Sequence, residues 1–155
     1  MKAKWMAVLA IALLFSGCAS KEKPRIQKVG KDVFFVEVEE FDLTNAEVQE
    51  LEGASSGKVV VLQDYDSKAE TTIQLSKGKY KVIVYLLGPS EDEDAFYLKA
   101  GSSAEERLYP EEQGGIQPTV NSVDLTQEAD GSCNILLTFG EPNVQLDRVE
   151  FKRVP

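Results

Sequence analysis

The sequence predicts an all-β fold, a two-sheet β-sandwich of the jelly-roll kind, and three features carry that expectation. About eight short runs alternate apolar and polar side chains. Turn chemistry separates them, as in "EGASSGK", "SKGK", "LGPSEDED", "EEQGGIQP", "EADGS" and "GEPN". One stretch alone, 44–53 "TNAEVQELEG", has helical character, and no internal repeat is present.

The first strand is expected at 33–41, "VFFVEVEEF". Successive side chains of a strand point to opposite faces, so Val33, Phe35 and Phe41 share one side with Glu37 and Glu39. Two carboxylates roughly 7 Å apart beside phenylalanines are expected to aim at an apolar interior, where like charges are costly unless neutralised. Further strands are expected at 58–63, 69–75, 79–87, 94–100, 121–127, 132–139 and 144–153. Tyr80, Val82, Val84 and Leu86 form one apolar face, and Cys133, Ile135, Leu137 and Phe139 another. In the closing strand Arg148, Glu150 and Lys152 alternate outward, which predicts Asp147, Val149 and Phe151 inward.

Terminal strands of a sandwich are often neighbours, so Glu37, Glu39 and Asp147 are expected to converge. Three hard oxygen donors with no Lys or Arg on the same face suit Ca²⁺, which takes roughly six to eight oxygens and accepts backbone carbonyls among them. The alternative is that one or more of these carboxylates ends a strand in water.

The chain opens with "MKAKWMAVLAIALLFSGCAS": Lys2 and Lys4, an apolar run from Trp5 to Phe15, then small residues and Cys18. This describes a secretory signal over residues 1–17, and the run is short for a membrane span. "LFSGC" resembles a bacterial lipoprotein cleavage site, although Phe15 stands where that pattern prefers Leu. The resemblance implies a lipid on Cys18 and, with Ala19 and Ser20 following instead of Asp, a place in the cell envelope at the outer membrane. The alternative is an ordinary signal with a fortuitous cysteine. Residues 18–31, rich in Lys, are expected to be a solvated linker, and residues 32–155 the folded domain.

Without the first 17 of 155 residues, 138 remain, with 15 of the 17 basic residues and all 26 acidic ones. A net charge near −11 excludes nucleic acid bound through its phosphates, and predicts repulsion from anionic headgroups, so that the lipid alone holds the domain at the membrane. The sequence has no histidine, which excludes Ser-His-Asp and Cys-His sites and histidine-ligated zinc. Cys133 reads as a small buried hydrophobe. No glycine-rich phosphate loop is present, and no enzyme activity is expected. The run Glu91 to Asp94 is either a solvated acidic turn or a second cation site, with Asp94 its best-placed member ahead of "AFYLKA".

"VEVEEFDLTNAEV", "SSGKVVVL", "AETTIQLSKGKYKVIVYL", "SEDEDAFYLKAG" and "EPNVQLDRVEFKR" resemble, in order and over nearly all of 33–153, the successive segments of galactose-binding-like jelly rolls. Among these the chain most resembles carbohydrate-binding modules of families 6 and 35. The resemblance implies a structural calcium on Glu37, Glu39 and Asp147, with a backbone carbonyl near Lys58. It also implies a glycan held by loops at one end of the sandwich, stacked on a Trp or Tyr and fixed by an Asn before the closing Asp. This sequence departs there: Trp5 is its only Trp, and Gln145 stands where the Asn is expected. Tyr65, Tyr97 and Tyr109 are the remaining aromatic candidates in or near loops, with half-buried packing as the alternative for each. The partner is then a glycan. If the domain keeps the jelly roll without the sugar, the partner is an envelope protein and the chain is a structural or adaptor lipoprotein.

Overall fold

The computed structural model describes residues 22–88, 96–110 and 114–155. Cys18 and the acidic run with Asp94 lie outside them. Among the described residues thirteen strands form two antiparallel sheets. The eight-stranded sheet holds β1 (Gln27–Lys28), β2 (Val33–Glu37), β4 (Ala46–Glu50), β5 (Lys58–Leu62), β7 (Gly78–Leu87), β10 (Gln117–Pro118), β11 (Val123–Gln127) and β13 (Gln145–Val154). The five-stranded sheet runs β3 (Asp42–Thr44), β6 (Lys68–Leu75), β12 (Gly131–Phe139), β8 (Phe96–Ala100) and β9 (Glu106–Leu108).

The two predicted apolar faces meet in the core between the sheets. Tyr80, Val82, Val84 and Leu86 of β7 are buried there with Cys133, Ile135 and Leu137 of β12. Phe139 is only partly buried against them. Burial pushes the Cys133 thiol up to about 11, which keeps it protonated and inert.

Three expectations are corrected. The stretch 44–53 contains the strand β4, paired with β5 from Ala46↔Leu62 to Glu50↔Lys58. Its helical spacing offers no apolar stripe wide enough to bury, whereas pairing satisfies its backbone, and Glu47 and Glu50 guard a sheet edge. The expected single strand 33–41 ends at Glu37, and Val38–Glu40 form a 3-10 turn before β3. Finally, Gln27–Lys28, inside the segment read as linker, pairs with Phe34 and Phe35, so the ordered fold begins upstream of residue 32.

The faces of the terminal strands also differ from expectation. Val36 is fully buried in the core, and Phe34 packs against it, stacked on Phe151 with ring centroids 5.0 Å apart. Phe35 and Glu37 therefore face away from the core. "VFFVEV" carries an apolar residue on both parities, so alternation alone does not choose a face. On the outer side the Arg148 guanidinium covers Phe35 at 5.3 Å and Tyr85 at 3.8 Å from the ring centroids. This cation–π cover explains why a phenylalanine is tolerated there.

Candidate functional site

β13 pairs with β7 along its whole length, from Gln145↔Leu87 to Val154↔Lys79. Its other edge is shared: β5 takes Gln145 and Leu146, and β2 takes Arg148 to Lys152. Asp147 falls at the handover, in a register shift between Leu146 and Arg148. A bulge leaves its extra residue out of the ladder and redirects the side chain. Asp147 is thus turned toward the end of β2, where Glu37 is the last residue, and not into the core between Val149 and Leu146.

The loop between β4 and β5 closes over this junction. Gly53 and Gly57, with φ of 94° and 80°, supply the left-handed turns that bracket Ser55 and Ser56. Ser55 N–H donates to Asp147 Oδ1 at 2.8 Å. Ser55 Oγ lies 2.6 Å from Glu37 Oε2 and 2.9 Å from Asp147 Oδ1. Ser56 Oγ donates to Glu39 Oε1, Gln27 Nε2 donates to Glu37 Oε1 at 3.1 Å, and Arg148 Nη1 donates to Asp147 Oδ2 at 2.6 Å. Glu37, Glu39 and Asp147 all reach this loop, Glu37 and Asp147 at Ser55 and Glu39 at Ser56. The expectation that no cation stands beside them is corrected by Arg148, which the bulge brings next to its own neighbour. Lys58 opens β5 directly after the loop, with an exposed side chain.

Glu37 is 2% exposed and Asp147 fully buried, so this is charge placed under cover. Among the described residues no three His, Cys, Asp or Glu side chains are gathered closely enough to hold an ion directly, because the serines stand between the carboxylates. The donor chemistry nevertheless fits a hard cation on two observations. Glu39 Oε2 is buried without a hydrogen-bond partner. Ser55 Oγ has one proton for two carboxylate oxygens, so one of its short contacts needs either a carboxyl proton or a positive ion. An all-oxygen set of this kind suits Ca²⁺ or Mg²⁺ and not a soft metal.

Burial, the largest cause, raises the Glu37 carboxyl above its ordinary 4.5; the Ser55 hydrogen bond opposes it, Glu39 and Asp147 raise it further, and Arg148 lowers it. A raised pKa means that the folded chain holds this proton more tightly than the unfolded one. Its stabilising contribution is complete below 4.5 and is lost as pH rises through the folded value. In chelator, Glu37→Gln should therefore gain stability relative to wild type between acid and neutral pH, as read by urea unfolding at each pH. A difference independent of pH would contradict this account of Glu37.

The other candidates lie elsewhere. Tyr65, 86% exposed, sits on the loop between β5 and β6, and its ring meets Phe139 edge-on at 5.2 Å. This loop is locked from below by buried Ser67, whose Oγ accepts from the backbone N–H of Gln63 and Asp64 at 2.9 Å each and donates to Asn45 O at 2.5 Å. Asp64 adds an Asx turn to Asp66 N and accepts from Asn45 Nδ2. Tyr109 follows β9 and Gln145 opens β13; since Phe96 pairs with both Leu108 and Phe139, the structure brings Tyr65, Tyr109 and Gln145 to the same end of the sandwich. Tyr97 does not join them: it lies between Thr138 and Arg107 on the outer face of the five-stranded sheet.

Sequence reasoning missed Ser55, Ser56, Ser67 and Phe139 as supporting residues. The paired serines between two glycines are the signal that points to Ser55 and Ser56.

No protein-family model matches the sequence, and no curated protein matches it. Solved structures do match. The GH26-CBM35 β-(1,4)-mannanase of Podospora anserina superposes with a TM-score of 0.69 at 12% identity, over 80% of this chain and 28% of that one. A family 35 carbohydrate-binding module from Clostridium thermocellum matches with a TM-score of 0.61 at 11% identity, over 86% of this chain and 100% of the module. Another from Paenibacillus barcinonensis gives 0.59 at 14%, over 77% and 98%. The chain thus spans under a third of the mannanase, and all or nearly all of the separate modules. At such identities the likeness is one of fold: the jelly roll implied by the sequence resemblance is the fold of family 35 carbohydrate-binding modules.

Proposed function

We propose that this chain is a non-catalytic glycan-binding module of the cell envelope, steadied by calcium and tethered by a lipid on Cys18. The observation that carries the reading is Tyr65. A large exposed ring is costly to leave in water, and here it is held on a hydrogen-bonded loop and braced by Phe139. A preorganised aromatic face of this kind stacks on the C–H face of a sugar ring without losing rotamer freedom on binding. Tyr109 and the amide of Gln145 stand at the same end. The fold shared with family 35 carbohydrate-binding modules supports the same reading.

In this reading Glu37, Glu39 and Asp147 hold the ion, with a backbone carbonyl near Lys58 completing the set. Calcium would supply charge neutralisation between the end of β2 and the bulge of β13, taking over from the serine hydroxyls. It has no part in chemistry on the ligand. The lipid places the module at the outer membrane; Cys18→Ser should move the protein from the membrane fraction to the soluble one.

A second reading, a structural or adaptor lipoprotein, is favoured by the ligand end itself. The chain's only tryptophan is Trp5, within the expected signal, and Gln145 is tied into the sheet between Val61 and Leu87. A glycan array probed with residues 22–155 in calcium separates the two. Specific glycan hits are expected; a blank array overturns the glycan reading, and an envelope protein captured in its place establishes the adaptor.

A further inference from the structure

The geometry points to a second interaction surface, for anionic phospholipid, at the end of the domain opposite Tyr65: the hairpin of β1 and β2 together with Arg153. β13 runs from Gln145 at the tyrosine end to Val154, a span of about 33 Å for ten extended residues. At its far end Arg153 N–H donates to Asp32 O at 2.7 Å, which fixes the hairpin turn there. The turn itself is closed by Val29 and Gly30 N–H on Val33 O.

Two observations mark this hairpin. Val29 is 64% and Ile26 38% exposed, apolar side chains that a hairpin turning into water has no reason to carry. Beside them Lys28, Lys31 and Arg153 line an open groove of about 320 Å³ with Phe34 and Tyr80, in which Asp32 is the only carboxylate. Among the described residues neither Lys28 nor Lys31 makes an ion pair. Apolar tips flanked by unpaired cations are the chemistry of a bilayer interface, where the former enter the headgroup region and the latter meet phosphates.

The chemistry of the patch selects the occupant. Ile26 follows Cys18 by eight positions, a reach of at most about 28 Å, and residues 22–25 lead back from the hairpin toward Glu40, where Arg25 N–H donates to its carboxylate. With a lipid on Cys18, as in the reading above, the hairpin stays within reach of the membrane. The net negative charge does not forbid it: Glu128 and Asp130 on the adjoining turn share this end, but Lys77 and Lys79 stand with them, and the acidic residues of the tyrosine end lie several Debye lengths, of about 8 Å each, from the hairpin. Such contact departs from the expectation that surface charge only repels the bilayer. Contact here would point Tyr65 away from the lipid toward a glycan.

The test needs no lipid anchor, so its failure is distinct from that of the Cys18 reading. All strands of the described residues lie between Gln27 and Val154, so residues 22–155 keep every one of them. This fragment should sediment with phosphatidylglycerol vesicles, weakly with phosphatidylcholine vesicles, and lose binding as salt is raised. Removing one cation costs about fivefold, so the Lys28→Gln, Lys31→Gln double variant should bind about 30-fold more weakly. Val29→Asp should weaken binding as well, while Lys99→Gln on the other sheet should not, all with unchanged melting temperatures. No binding to phosphatidylglycerol vesicles, equal binding to both lipids, or an unaffected double variant would each overturn the proposal.

Discussion

Replacing Tyr65 with alanine should weaken glycan binding about tenfold or more, with the fold intact. The expectation follows from how the ring is held. Its loop is anchored through Ser67 to Asn45, and Phe139 supports the ring from the side, so little order remains to be created on binding. The loss is that of an aromatic stacking contact together with the apolar area it covers. Tyr65→Phe should keep most of the affinity, because the stacking face is retained. Phe139→Ala should lose part of it by freeing the ring. Titration of a glycan found on the array measures all three. An affinity unchanged in Tyr65→Ala would move the ligand away from this loop.

Chelation of divalent ions should lower the melting temperature of residues 22–155 by about 10 °C. An ion present at a hundred times its dissociation constant adds about 2.7 kcal/mol to the folded state, and a domain of this size shifts by a few degrees per kcal/mol. The magnitude reflects where the site lies. β2 and β5 meet the same edge of β13 end to end, and Glu37 and Asp147 are buried at that seam with like charge. Without an ion, the carboxylates at the seam are held by Gln27, Ser55, Ser56 and Arg148. Glu39→Gln should abolish the response to chelator in differential scanning calorimetry, and Asp147→Asn likewise. A chelator response that survives both would place the ion elsewhere.

Much of this was legible in the sequence, though not always for the reason first apparent. The inward faces of β7 and β12 follow from clean alternation, and the structure places them there. Glu37, Glu39 and Asp147 do converge, but neither terminal strand presents them on its core face. On β2 the apolar parity is doubled, and Phe34 with Val36 takes the interior. On β13 a bulge interrupts the period of two at Asp147, and a bulge has no signature in composition. Glu39 lies in a 3-10 turn, so strand spacing does not describe it. The short strands β1, β3, β9 and β10 have two or three residues each, too few for any pattern to declare itself. At the ligand end, Tyr65 and Phe139 are 74 positions apart, and only the fold reveals that one braces the other.

The most direct measurement on the carboxylate cluster is a calorimetric titration of calcium into metal-stripped residues 22–155. One ion per chain is expected to bind, with no binding in Asp147→Asn. The absence of binding heat at any buffer and pH, with an unchanged melting temperature in excess calcium, would contradict a metal site between the first and last strands.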